Sequence, residues 1–155
     1  MSRAKTTRRQ KIAQAIADRL LLIDGTGDWK SDFTGRVDTR MRFIDDVNDS
    51  PYLCVVPGSE TREYQGKGFK WRFLEVTITL YVQGSDALDL QDMLEHALED
   101  VESQLDSVKS IEYLEDQSTG SKQIVDLTVL SMTTDQGAFA DDGLGIGEIV
   151  VEVRY

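Results

Sequence analysis

The residues able to do covalent chemistry are few. The chain holds one histidine, His96, and one cysteine, Cys54, and a hydrolytic centre needs a nucleophile, a base and an orienting group. His96 lies in LEHALED with no serine, cysteine or second histidine at a workable spacing, and reads as a surface histidine on a helix. Cys54, in YLCVV, reads as a small buried hydrophobe with no disulfide partner, which suits a reducing cytoplasm. Gly143, Gly145 and Gly147 spell GxGxG, but they precede a strand instead of opening a helix, so no helix N-terminus stands ready for a phosphate. Asp24, Asp28 and Asp32 recur around Gly25 and Gly27 without the closing glutamate of a calcium loop, and read as turn formers. The expectation is no enzyme, no metal and no cofactor.

A last group of carboxylates belongs to a helix expected at 85–107. On a wheel of 100° per residue Leu90, Leu94, Ala97, Leu98, Val101 and Leu105 share one face, and Asp92, Glu95, Glu99, Glu102 and Asp106 gather opposite. Nothing apolar surrounds those acids to raise a pKa, so they read as a solvated ridge or an intersubunit charge pair. Ser85 or Asp86 is the expected N-cap, with early acids at the positive end of the helix dipole.

The other elements follow from the same periodicities. Ile12, Ile16 and Leu20, widened by Ala13, Ala17 and Leu21, predict a helix over 7–22. A loop over 24–35 follows, then a half-exposed strand through Val37, Thr39, Met41 and Phe43. Residues 51–83 read as two strands, the second with Leu74, Val76, Ile78, Leu80 and Val82 inward. Shorter strands are expected at 111–114, 123–133 and 148–155, with a loop at 114–122. The order predicts one α+β domain over 1–155, with a mixed, mainly antiparallel sheet of about five or six strands and both helices on one face. Residues 1–6 are expected to form a flexible basic arm.

The connection between the strands of 51–83, residues 58–68, is read as a long polar loop. With Glu60, Arg62, Glu63, Tyr64 and Lys67 it carries contact chemistry rather than turn chemistry. The charge is also uneven. Arg3, Lys5, Arg8, Arg9 and Lys11 precede the first acid, Asp18, while the whole chain carries a formal net charge of -11. Such an acidic body repels DNA phosphates. No apolar run is long enough to span a bilayer and no signal peptide is evident, so no membrane contact is expected.

The helix IAQAIADRL, the unit PYLCVVPGSETREYQGKGFKWRFLEVTITLYV, the acidic helix and the ending LSMTTDQGAFADDGLGIGEIVVEVRY together resemble the tail terminator proteins of long, flexible-tailed phages, most nearly those of the T5-like group. The sharpest segments are GSETREYQGKGFKWRFLE and the stretch from TTDQG to VEVRY. The resemblance implies a homo-hexameric ring at the head-proximal end of the tail tube, in the virion after assembly in the host cytoplasm. Its partners would be the tail tube protein and a neck or head-completion protein, and DNA would pass the central channel without specific binding.

On that reading Glu60, Arg62, Glu63, Tyr64, Lys67 and Phe69, with Asp135, Phe139 and Leu144 around the second long connection, face the tube or the next subunit. Glu75, Thr77, Thr79, Glu148 and Glu152 point away from the helices and line the lumen, where acids and hydroxyls let DNA slide. A neck or tube component is an alternative. A small α+β adaptor or ligand-binding domain unrelated to virions is a second.

Overall fold

The computed structural model describes residues 7–40, 50–83, 87–107, 112–116, 120–124, 126–135 and 144–155. Helix α1, Arg8–Leu20, begins at a capping box, in which the Gln10 amide donates to Thr7 Oγ1 at 3.2 Å and the Thr7 amide donates to Gln10 Oε1 at 2.9 Å. It buries Ile12, Ala13, Ile16, Ala17 and Leu20, nearly the expected stripe. Helix α2, Ala87–Asp106, buries all six of its apolar-face residues and leaves Asp92, Glu95, His96, Glu99 and Asp106 exposed, with Glu102 half-buried. The expected N-cap lies outside the described residues.

The main sheet has five strands in the order β1-β2-β3-β7-β6: β1 Val37–Asp38, β2 Tyr52–Tyr64, β3 Lys70–Gln83, β6 Asp126–Asp135 and β7 Leu144–Arg154. Only β1 runs parallel to its neighbour, so the sheet is mixed and mainly antiparallel. Strands β4, Glu112–Asp116, and β5, Gly120–Gln123, form a separate antiparallel hairpin. The expected loop over 114–122 therefore contains strand: β5 is short and polar, and the alternation that marks a half-buried strand is absent from it. The strand expected from Val37 holds its ladder only to Asp38, and Met41 and Phe43 lie outside the described residues.

Side-chain alternation fixes the two faces of the sheet. Leu74, Val76, Ile78, Leu80 and Val82 of β3 stand beside Val153, Val151, Ile149, Gly147 and Gly145 of β7 under the helices, in one core cluster. The last two glycines answer a packing need, not a ligand. A Cβ on Gly145 would stand 2.9 Å from Leu94 Cδ1 and 3.2 Å from Leu90 Cγ, and one on Gly147 would stand 3.3 Å from Leu98 Cδ2. Gly145 and Gly147 therefore form the groove into which α2 sinks its leucines, and they belong with Leu144 to β7 instead of the expected loop, while Gly143 lies outside the described residues.

Candidate assembly surfaces and the open sheet face

The connection read as a loop is mostly sheet. Strands β2 and β3 stay paired from Tyr52 with Tyr81 out to Tyr64 with Lys70, broken only by an irregularity between Pro57 and Glu60. Glu60, Arg62, Glu63 and Tyr64 are thus ladder residues of a long two-stranded arm, and the true turn is a short 3₁₀ segment, Gly66–Gly68, with Lys67 at φ 65°. Polar residues on both faces hid the strand, because an arm projecting past the core buries neither face and loses the two-residue period.

The tip of the arm is open. Tyr64 is 72% and Phe69 75% exposed, Trp71 stands at 38%, and Lys67 is exposed beside them. From 64 to 71 the sequence YQGKGFKW carries two lysines and no carboxylate, a basic and aromatic end on an acidic chain. Exposed aromatic side chains of this kind are what protein interfaces bury at their centres. Glu63 is exposed and accepts a hydrogen bond from Gln65 Nε2 at 3.0 Å.

The base of the arm is fastened. Glu60 turns inward, its side chain only 9% exposed, where it accepts from Arg62 Nη2 at 3.0 Å and from the hydroxyl of Tyr155. Tyr155 completes the clasp through its backbone, its amide donating to the Arg72 carbonyl at 3.0 Å and its carbonyl accepting from the Arg72 amide at 3.3 Å. Its ring has the Arg8 guanidinium 5.8 Å away and that of Arg72 at 5.7 Å. Arg9 donates to the Gly58 carbonyl at the irregularity itself. Glu60, expected as an interface residue, is thus committed within the subunit.

Burial opposes ionisation of Glu60, but the hydrogen bonds from Tyr155 and Arg62 outweigh it and hold the carboxyl below its ordinary value. Burial first, and then the Glu60 acceptor, push the Tyr155 phenol up to about 12. The Glu60 contribution to stability is therefore complete above the ordinary glutamate pKa and is lost as pH falls through the depressed value. That of Tyr155 is complete below the ordinary tyrosine value near 10 and is lost as pH rises toward 12. Urea midpoints measured across pH should fall on both sides of a plateau, and Tyr155→Phe, which cannot ionise, should flatten the alkaline limb; an unchanged alkaline limb would contradict the clasp.

The second group of expected interface residues lies elsewhere. Asp135 ends β6 opposite Ile146, which stands opposite Tyr81, and Leu144 stands opposite Gln83. Ten residues of β3 separate Trp71 from Tyr81, so this end lies roughly 34 Å from the arm's end of the sheet at the usual rise per strand residue. Phe139 lies outside the described residues. Among the described residues, those expected to face the tube or the next subunit thus stand at opposite ends of the sheet.

The sheet face away from the helices carries the expected acids in rows. Glu75 stands opposite Glu152, and Glu152 opposite Thr128; Thr77 opposite Val150, and Val150 opposite Ser131; Thr79 opposite Glu148, and Glu148 opposite Thr133. Glu75 and Glu148 are exposed, and Thr77 and Glu152 half-buried. Thr79 shares this face but is only 7% exposed, beside the small buried pair Cys54 and Tyr81, so its hydroxyl is not open to solvent in the single subunit. Two carboxylates directly opposite each other weaken a sheet, and in these three rows no described side chain is basic. Toward the arm, Arg154 pairs with Asp126 at 2.9 Å and lies 4.8 Å from the centre of the Trp71 ring.

The remaining acids are spent locally. Asp100 is buried and accepts the amides of Lys30 at 2.9 Å and Ser31 at 2.7 Å, tying the 24–35 loop to α2, while Lys30 Nζ meets Glu99 at 2.7 Å. Asp24 and Asp32 accept the amides of Thr26 and Thr34 two residues on, the turns expected of them. Among the described residues no cluster of histidine, cysteine and acids could hold a metal, and no helix is long and apolar enough to cross a membrane.

Comparison with known proteins decides among the readings. The family model of the bacteriophage tail tube terminator protein matches residues 6–155. The chain belongs to the phage tail tube terminator family. It is 32% identical over 153 residues to the tail tube terminator protein of Escherichia phage T5, covering 95% of this chain and 92% of the relative. It shares its fold with a chain of the virion of a native gene transfer agent particle, at a TM-score of 0.59 and 12% identity over 93% of each. Membership removes the adaptor unrelated to virions. Tyr155, Arg8, Arg9 and Trp71 were missed as site residues, because a contact such as Tyr155 with Glu60 spans 95 positions and leaves no local signal.

Proposed function

We propose that this chain is a structural protein of the phage virion that ends the tail tube, assembling as a hexameric ring at the head-proximal end. The ring stops tube polymerisation, offers its far side to the neck of the capsid and leaves a central channel for DNA. The observation that carries this reading is the family match over residues 6–155 together with a 32% identical tail tube terminator spanning nearly the same length. The geometry supports the finer parts. The arm tip and the Asp135–Leu144 end lie at opposite ends of one sheet, as two different partners require. We assign the arm, through Tyr64, Lys67, Phe69 and Trp71, to the tube, and the opposite end to the neck.

Strand β6 ends the sheet with no strand described on its outer side, and Leu130 and Met132 on it are 48% and 43% exposed. An open edge of this length is a surface that proteins cover, and a neighbouring copy in the ring would cover it. The open face with Glu75, Thr77, Glu148 and Glu152 then lines the lumen, while Thr79 shares that face but is buried.

The test adds purified protein to polymerising tail tube subunits. Elongation should arrest at substoichiometric amounts, with rings at one tube end in electron micrographs; co-polymerisation into longer tubes would instead make the chain a tube component. Replacing residues 63–71 by Asn-Gly, which closes the ladder at the Arg62–Arg72 pair with a tight hairpin turn, should abolish arrest while keeping the fold.

A further inference from the structure

The β2–β3 arm leaves the body at one point, the irregularity between Pro57 and Glu60, and the groups that converge there come from distant parts of the chain. Helix α1 supplies Arg9 to the Gly58 carbonyl and Arg8 to the Tyr155 ring; β7 leads into Tyr155, whose backbone joins β3 at Arg72 and whose hydroxyl reaches Glu60 on β2. Gly58 itself is close to β3, a Cβ there standing 3.4 Å from the Glu75 carbonyl oxygen. Beyond this point the arm is exposed along most of its length, with Arg154 of β7 lying over the Trp71 ring near its end.

We propose that Tyr155 and Glu60 form a latch that sets the direction of the arm, and that Tyr155 is thereby a positioning residue for docking although it touches no partner. A two-stranded ribbon twists and bends easily unless packed, and an irregularity in the ladder is where it bends. The hydroxyl of Tyr155 ties β2, just past the bend, to a residue whose backbone is already laddered to β3. The two flanking guanidiniums, one from α1 and one from β3, hold the ring between body and arm. The bend is closed on both strands at once, and the tip aromatics are presented at one angle instead of many. A docking element held in its bound direction loses less freedom on binding.

This inference rests on the reading of the arm as the tube-docking element, and its test separates the two. Spin labels at K67C on the tip and H96C on α2, in a C54A background, report the arm's direction as a distance distribution. The latched protein should give one narrow distribution. Tyr155→Phe and Glu60→Gln should each broaden it, and the double variant should broaden it no further than either, while the body still melts cooperatively near neutral pH, its midpoint lowered by a few degrees for the lost hydrogen bond. The same single variants should need about tenfold more protein to arrest tube growth, as expected for loss of one hydrogen bond to a charged group. Unchanged distributions, or additive effects in the double variant, overturn the latch. Broadening with undiminished arrest overturns the positioning role. If the variant with residues 63–71 replaced by Asn-Gly arrests tubes as well as the parent does, the docking reading falls, whatever the distances show.

Discussion

Changing Glu75, Glu148 and Glu152 together to lysine is expected to leave the subunit folded and the ring assembled, and to stall DNA in the channel. All three side chains stand on the face away from the core, Glu75 and Glu148 exposed and engaged in no described ion pair and Glu152 half-buried, so their replacement leaves the helix-side core untouched. The electrostatic consequence is large, because each subunit moves by six charges and the ring repeats the change. Parent rings should bind duplex DNA negligibly. Lysine rings should bind it with a dependence on salt that steepens by roughly 0.9 in log–log slope for every phosphate contacted. Phage assembled with the variant should show joined heads and tails and a severe loss of infectious titre, partly relieved by high salt during ejection. Full infectivity with unaltered DNA binding would show that these acids do not face the DNA.

The largest expected effect on stability comes from a glycine. Gly145→Val places a β-branched side chain where a single Cβ already comes within 2.9 Å of Leu94 and 3.2 Å of Leu90. These neighbours are side-chain atoms, so the leucines yield first, but they sit at the bottom of the core, both 2% exposed or less, with nowhere to go except by lifting α2. Overpacking of this kind costs about 1–3 kcal/mol, which lowers the melting temperature by roughly 2–4 °C per kcal/mol in a chain of this size. Gly147→Ala meets a nearest contact of 3.3 Å and should cost distinctly less. Melting curves of the two variants check the order; equal stability of Gly145→Val and the parent would mean that α2 does not ride on these glycines.

These examples also show what the sequence could and could not disclose. The helices and the inward rows of β3 and β7 were legible because each buries one face, and burial imposes the periods of 3.6 and 2 on neighbouring residues. The acids on the open face followed from the same alternation. The arm escaped because strand residues beyond the core bury neither side. Gly145 and Gly147 read as loop in the sequence yet belong to a strand, since only the packed leucines of α2 reveal why side chains are excluded there. The clasp joins Arg8, Arg9, Gly58, Glu60, Arg72 and Tyr155, and no spacing rule connects residues so far apart in the chain. The separation of the expected contact residues between two ends required the register, which fixes how far Trp71 lies from Tyr81.

That division bears on how growth ends. A protein that stacks into a tube must present complementary surfaces above and below, so that each layer recreates the site it has just filled. Here the projecting ribbon leaves from one end of the sheet, and at the other β6 ends at Asp135 and β7 begins at Leu144. On the proposed function such a layer would accept a tube below and regenerate no tube site above. In the language of polymer chemistry it would be a monofunctional unit, a chain stopper whose action needs no switch and no consumed nucleotide, only the asymmetry of one subunit.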